Sequence, residues 1–208
     1  MTDYVLVGGG ALARELHEWF APVLADRGDR FGGYIDDNDQ PMRAFGRDLP
    51  QLGGTQDYRP DPDQRLVMAV ATPKGKMSLA ERLTGKGGVF ASLIHPTTVI
   101  SASARLGRGA VVCPYCVISA DSRAGEFVTV NSFASLGHDV VVDDYVTLSG
   151  YVGLTGAVHV GARTFFGAGA RVLPKVRIGA DCTIGAGAIV VRSAPDGVTL
   201  YTAPARRL

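Results

Sequence analysis

The sequence predicts a small parallel α/β unit followed by an all-β coil of very short strands, and three observations lead there. Every sixth residue from Ile94 to Val190 is apolar, without insertion or skip, and only Ala124 and Phe166 depart from Val, Ile or Leu. Four residues after each of these comes a second restricted column, running from Thr98, Ala104, Ala110 and Cys116 to Ala194, in which every member is Ala, Val, Ser, Thr or Cys. Before the repeat, residues 1 to about 85 alternate short apolar runs with helical patterns. Neither a helical period nor a long two-residue alternation yields a fixed six. A coil does, if each short strand contributes one large and one small inward side chain before the chain turns a corner. Three hexads per turn would stack residues eighteen apart at roughly 4.8 Å.

The elements of the first part follow in order. Tyr4–Val7 is a short apolar run ending at Gly8-Gly9-Gly10. Ala11–Leu24 then places Leu12, Leu16, Trp19, Phe20 and Val23 at helical spacing, with Arg14, Glu15 and Glu18 opposite. Phe31–Ile35 reads as a second strand, ending at Asp36-Asp37-Asn38, and Leu66–Ala71 as a third, followed by a helix across Met77–Leu83. Strand, glycine turn, helix and strand make a βαβ, Rossmann-like unit with a small parallel sheet. Gly85–Gly88 reads as a linker, which places one unit at residues 1–88 and the coil with its C-terminal tail at 89–208.

Bulk properties exclude several classes. Lys and Arg number 21 against 20 acids, and neither sign forms a block, which argues against nucleic-acid or membrane-surface partners. No run approaches the ~20 apolar residues of a membrane span, and the start lacks the basic flank and cleavage site of a signal peptide. Three cysteines, an odd count, suit free thiols in a reducing cytoplasm, the expected location. The 27 glycines are expected mainly at corners that need positive φ.

Among the chemical motifs, Gly8, Gly10 and Ala13 satisfy G-x-G-x-x-G/A between a strand and a helix, with Asp36 or Asp37 where a ribose-binding acid would lie. A tight turn needing glycine explains the same residues. Fewer than ninety residues offer only half of a dinucleotide site, so a single nucleotide or nucleotide-linked group fits better than NAD. Cys113-Pro-Tyr-Cys116 spells a redox pair, but it falls inside the six-residue register, with Cys116 and Cys182 in the small inward column, and reads as packing. Of the four histidines, His17 lies on the amphipathic helix, His95 precedes Pro96 at the start of the repeat, and His159 takes an outward slot. His138 sits in Leu136-Gly-His-Asp-Val140 between two inward positions. Its ring must point outward, beside Asp139, which suits a general base. Eighteen residues on lies Gly156, whose uncovered N–H could steady an oxyanion. Gly150, Ala168 and Ala186 form a second stacked column, bare enough for an extended ligand to lie against the backbone.

Several segments together resemble the hexapeptide-repeat sugar acyltransferases, and within them the sialic acid O-acetyltransferase-like branch that includes acetyltransferases of UDP-linked 4-amino sugars. The segments are Val7-Gly-Gly-Gly10, Tyr34-Ile-Asp-Asp37, Ile94-His-Pro96, Asn131-Ser-Phe-Ala-Ser-Leu-Gly-His-Asp139, Phe165-Phe-Gly-Ala-Gly-Ala170, Ile184-Gly-Ala-Gly-Ala188 and Ala203-Pro-Ala-Arg206. The resemblance spans essentially the whole chain. It implies a left-handed β-helix, an exception to right-handed crossovers, and a homotrimer with acetyl-CoA bound between neighbouring coils. It also implies no metal, and an acceptor nucleotide held by the first unit. By matching motif positions, His138 takes the role of base, Asp139 of its orienting acid, and Asn131 and Gly156 lie near the reacting centre. Thr147, Gly150, Gly156, Ala168 and Ala186 fall at acetyl-CoA positions, and Gly9, Gly10, Asp36 and Asp37 at nucleotide-sugar positions. Relatives often carry a histidine in the first glycine turn, where this chain reads Gly8-Gly-Gly-Ala-Leu12. Many carry a second histidine where Thr147 stands, and a glycine where Thr202 stands. These departures touch the acceptor's identity and leave the base in place.

The expected reaction is direct acetyl transfer, since no Ser or Cys near His138 has a case for activation. Three alternatives stand beside it. A γ-type carbonic anhydrase needs three histidine ligands on such a coil, whereas His138 and His159 are the histidines within the repeat, three residues off the stacking interval. The others are a trimeric scaffold or sugar-nucleotide-binding protein without activity, and an acyltransferase with a non-sugar acceptor.

Overall fold

The computed structural model describes residues 1–203; the rest of the ending Ala203-Pro-Ala-Arg206 and the tail to Leu208 lie outside the described residues. The first part holds β1 (Asp3–Val7), α1 (Ala11–Ala25), β2 (Arg30–Ile35), β3 (Gln64–Met68) and α2 (Pro73–Gly85). The strands form a parallel sheet in the order β2-β1-β3, with β1 in the centre and β2 and β3 paired to its two sides. Its strands read as near-continuous apolar runs because helices cover them: Val5, Leu6, Val7, Leu66, Val67 and Met68 are fully buried. On α1, Leu12, Leu16, Phe20 and Leu24 recur at four-residue steps and face the sheet. The third strand begins two residues earlier than the sequence suggests and stops at Met68, and α2 runs four residues further at its start. Pro73 opens α2, where its missing N–H costs nothing.

The expected linker is not loose. Gly88 fits so tightly that a Cβ there would lie 2.7 Å from Leu66 and 2.8 Å from the Leu83 carbonyl. Leu66 donates to Val89 O, and Ala91 donates to Leu66 O. The chain therefore pairs along β3 and passes directly into the coil.

From β4 (Leu93–Ile94) to β21 (Thr199–Leu200) the described chain is a left-handed parallel β-helix of two-residue strands. They stack into three parallel sheets of seven, six and five strands, one per side. Residues eighteen apart pair, as in Thr129 with Thr147 and Ser135 with Gly153. We refer to the seven-, six- and five-stranded sides as the first, second and third faces. The edge after each face takes the same ordinal, so His138 lies on the second edge. Both inward columns fill the core from Val112 to Val190. At ~25 cal/mol per Å² of apolar surface removed from water, this column is the main driving force of the coil.

The corners work differently from expectation. Left-handed φ falls mainly on non-glycine residues, among them Tyr115 (61°), Phe127 (54°), Phe133 (62°), Asp139 (59°) and Tyr151 (62°). Many coil glycines sit instead two residues before that position, where neighbouring turns approach most closely. A Cβ on Gly161 would come within 2.5 Å of Ala180 N, and one on Gly167 within 2.5 Å of Ala186 N. Close approach of backbone, more than φ, selects glycine there.

The α/β unit sits on the first face. Its outward residues Val111, Thr129 and Thr147 are buried, whereas Val99, Val117 and Ile189 on the second face are exposed. Phe90 meets Phe127 edge-on at 4.9 Å, and Phe127 stacks on Tyr145 at 5.4 Å, covering the third edge where the two parts meet. Cys113 belongs to the core shared with α1 and Cys116 to the coil interior. Burial raises both thiols, Cys116 to about 11, so neither is a thiolate at neutral pH. In the native protein, Ellman's reagent is expected to find no fast-reacting thiol, and all three after denaturation. Rapid labelling of the folded protein would overturn the packing assignment.

Candidate functional site

His138 stands on the second edge, its side chain about 70% exposed, with Nδ1 2.8 Å from Asp139 Oδ2. The carboxylate accepts from Nδ1–H, which fixes the tautomer and leaves the Nε2 lone pair free to take a proton. Asp139 can do this because its backbone is left-handed, a conformation Asp tolerates better than most residues. The imidazole lies across the next turn of the coil: a Cβ on Gly156 would collide with it, 2.5 Å from Cε1. Glycine at 156 is therefore the seat of the ring. Among the described residues, the Gly156 N–H has no acceptor, while the next residue, Ala157, donates to His138 O at 2.8 Å. Gly137 is also confined, since a Cβ there would meet Gly156 N and Leu154 O at 3.0 Å.

The other expected residues occupy two further places. Asn131, Gly150, Ala168 and Ala186 line the first edge; Ala168 and Ala186 are exposed and present a bare strip of backbone. Asn131 Oδ1 accepts from Ser132 N at 2.7 Å, which orients the amide and leaves Nδ2 to donate outward. Gly9, Gly10, Asp36 and Asp37 cluster at the carboxyl ends of β1 and β2, the usual ligand edge of a parallel sheet. Gly10 opens α1, is exposed and has no atom within 4 Å of a hypothetical Cβ, so the first N–H groups of the helix face open space.

Three of these groups carry structural contacts of their own. Gly9 is confined by Pro41 and Tyr34, at 2.7 and 2.8 Å from a hypothetical Cβ. Asp36 and Asp37 hold loops: Asp36 accepts from Gly9 N and from Asn38, and Asp37 accepts from Thr55 N and Oγ1. Thr147 is a correction to the acetyl-CoA set. It is 2% exposed, and its hydroxyl donates to Ala71 O at 2.6 Å, because the α/β unit covers the first face there.

The remaining histidines do structural work. His17 packs beside Phe31, and His95 meets Phe20 edge-on. His159 is pinned between Asp143 and Arg177, with both nitrogens engaged. Among the described residues no group of three His, Cys, Asp or Glu is placed to hold a metal ion, and no helix is long and apolar enough to cross a membrane. A cavity of about 650 Å³ at the C-terminal end of the coil is lined by residues 187–195 and 198–202, none of them His, Asp or Glu. Two smaller ones, about 360 and 350 Å³, flank Arg47 between α1 and the β2–β3 connection, beside Arg14, whose guanidinium stacks over Phe45 at 3.4 Å. Sequence reasoning missed Lys76, a fully buried cation. Its signal was available, since Lys76 shares the i, i+4, i+7 stripe of Ala80 and Leu83.

This fold and this outward His–Asp pair define a hexapeptide-repeat acyltransferase. The bacterial transferase hexapeptide family (six repeats) matches residues 157–192. The chain is 31% identical to a histidine-to-asparagine mutant of perosamine N-acetyltransferase from Caulobacter crescentus, solved with CoA and GDP-perosamine. The match covers 99% of this chain and 96% of that one, with a TM-score of 0.86. The acetyltransferase domain of PglB from Neisseria gonorrhoeae FA1090 matches over the full length of both chains, with 27% identity and a TM-score of 0.86. UDP-N-acetylbacillosamine N-acetyltransferase of Bacillus subtilis (strain 168) is 36% identical over 116 residues, 54% of this chain and 51% of that relative, so the alignment spans about half of each. The chain belongs to the hexapeptide-repeat sugar acetyltransferases.

The seating of His138 can be checked directly. Gly156→Ala is expected to shift the His138 imidazole resonances in a proton–nitrogen NMR spectrum with little change in melting temperature. Unchanged resonances would show that the ring does not rest on Gly156.

Proposed function

We propose that this protein transfers the acetyl group of acetyl-CoA to an amino group on a nucleotide-linked sugar, with His138 as general base. The observation that carries this reading is the exposed imidazole, held at Nδ1 by Asp139 and seated on Gly156. Its free Nε2 removes a proton from the acceptor amine as the nitrogen attacks the thioester carbonyl. The tetrahedral oxyanion takes a hydrogen bond from the Gly156 N–H, and its collapse breaks the C–S bond, with the proton on His138 passing to the leaving thiolate. The first-edge strip of Gly150, Ala168 and Ala186 suits the pantetheine arm, and the open start of α1 suits the acceptor's phosphate. Residues 1–88 then serve as the acceptor-binding unit and 89–208 as the donor-binding coil. Two relatives, with 31% and 36% identity, are named as N-acetyltransferases, which favours nitrogen over oxygen as the acylated atom.

A single chain cannot assemble this site. The second edge is opposite the first face, where the α/β unit sits, so His138 and the acceptor loop lie on opposite sides of the coil. A homotrimer resolves this if the second edge of one copy meets the first edge of the next, a ring-closing heterologous contact. The first edge has a surface suited to it. Tyr115, Phe133 and Tyr151 stack at 5.2 and 4.8 Å, and all three are about half exposed. They lie beside exposed Val117 and Val99. On the third edge the matching pair, Phe127 and Tyr145, is covered by Phe90. The cytoplasm, where acetyl-CoA and free thiols coexist, is the location that fits.

Release of CoA should be measured with acetyl-CoA and a panel of nucleotide-linked amino sugars. His138→Ala is expected to retain acetyl-CoA binding and the wild-type mass while lowering kcat by ~10²-fold or more. Near-wild-type turnover in that variant would remove the base assignment, and absence of turnover with every acceptor in the wild type would favour a scaffold. Phe133→Glu should convert trimer to monomer in light scattering and abolish turnover. A Phe133→Glu trimer with full activity would exclude the first edge as the contact.

A further inference from the structure

We propose that Lys76 is a positioning residue that sets the acceptor loop in register with the coil, an inference that rests on the transferase reading above. Lys76 lies in the first turn of α2 and is 0% exposed. Its ammonium donates to Phe127 O at 2.9 Å, Val146 O at 2.9 Å and Thr129 Oγ1 at 3.2 Å. All three donors are used, all three acceptors are neutral, and all belong to the coil. Burial pulls its pKa well below the ordinary lysine value.

Adhesion does not require such a group. Burying a cation without a counter-ion is costly, and an apolar side chain of the same length would bind the two parts more cheaply. Phe90, Phe127 and Tyr145 already supply apolar contact at this junction. The ammonium adds direction: three hydrogen bonds to different points of the coil fix one end of α2 in every dimension.

That end leads to the acceptor side. Two turns of the coil, through Phe127 and Val146, hold Lys76, and beside them Thr147 holds Ala71 O at 2.6 Å. Ala69 and Val70, just before, press on Gly8: a Cβ there would lie 2.8 Å from Val70 and 3.3 Å from Ala69 O. Gly8 begins the turn that opens α1. A short run of packed backbone thus links the coil to the loop expected to hold the nucleotide. Transfer needs the acceptor placed to within fractions of an ångström, and an error of about 1 Å can cost ~10²-fold in rate.

The test uses Lys76→Met, which keeps the stem and removes the donors, and Thr129→Val, which removes one acceptor and leaves two. Phe90→Leu serves as a control that loosens the same junction without touching the ammonium. We expect Lys76→Met to lower kcat/KM for the nucleotide sugar by ~10²-fold, with Thr129→Val intermediate and the KM for acetyl-CoA within about twofold of wild type. At equal loss of melting temperature, Phe90→Leu should retain most activity. Equal losses in Lys76→Met and Phe90→Leu would reduce Lys76 to a structural role. Hydrogen exchange, read without any acceptor, separates this proposal from the transferase reading. Faster exchange in residues 8–12 and 71–76 of Lys76→Met, with coil amides unchanged, supports the positioning role even if no sugar is turned over. Unchanged exchange in those segments overturns it.

Discussion

The eighteen-residue stacking interval is the constraint on which the rest of the structure depends. Each two-residue strand is too short to be stable alone, and it persists because the strand one turn away pairs with it in register. Once Val, Ile, Leu and the small column fill the interior, every outward position has a fixed height and side. His138 faces Gly156 for that reason, and the carboxylate beside it is reached through a left-handed corner that the winding imposes on Asp139. The chemistry of the second edge is thus set by the coil and not by a flexible loop.

The periodic part of the fold was therefore legible. The inward columns, the three faces and the pairing of 138 with 156 follow from spacing alone, because a fixed repeat converts sequence distance into position. What covers the outward slots was not legible, since those slots accept any residue. Val111, Thr129 and Thr147 look no different from Val99 or Val117 in the repeat, yet the first group lies under the α/β unit and the second is exposed. Thr147 was misplaced for this reason. The corner glycines were misread on similar grounds: spacing locates a corner but does not reveal which of its residues meets the next turn most closely.

Within the α/β unit the strands and helices were visible to within a few residues, while the roles of its polar groups were not. Asp36 and Asp37 resemble ligand acids in sequence because they end a strand beside a glycine turn. In the structure their carboxylates receive N–H and O–H groups of Gly9, Asn38 and Thr55. Such side-chain-to-backbone bonds substitute for regular pairing in the long connection from β2 to β3, and no periodic pattern signals them.

These two halves differ in how they can change. A substitution inward in the coil disturbs a stacked core on both sides of its turn, so the frame that sets His138 over Gly156 is hard to alter without loss of the fold. The acceptor side is built from a glycine turn and loops tied by individual side chains, Gln51 among them, which donates to both Asp36 O and Asn38 O. Replacing one such bond alters a pocket wall and leaves the sheet intact. The absence of a histidine in the first turn, at Gly8-Gly-Gly-Ala-Leu12, falls in this adjustable half. Variation among acceptors is thus expected to gather around β1, β2 and their loops, while the acyl-transfer edge stays fixed by geometry.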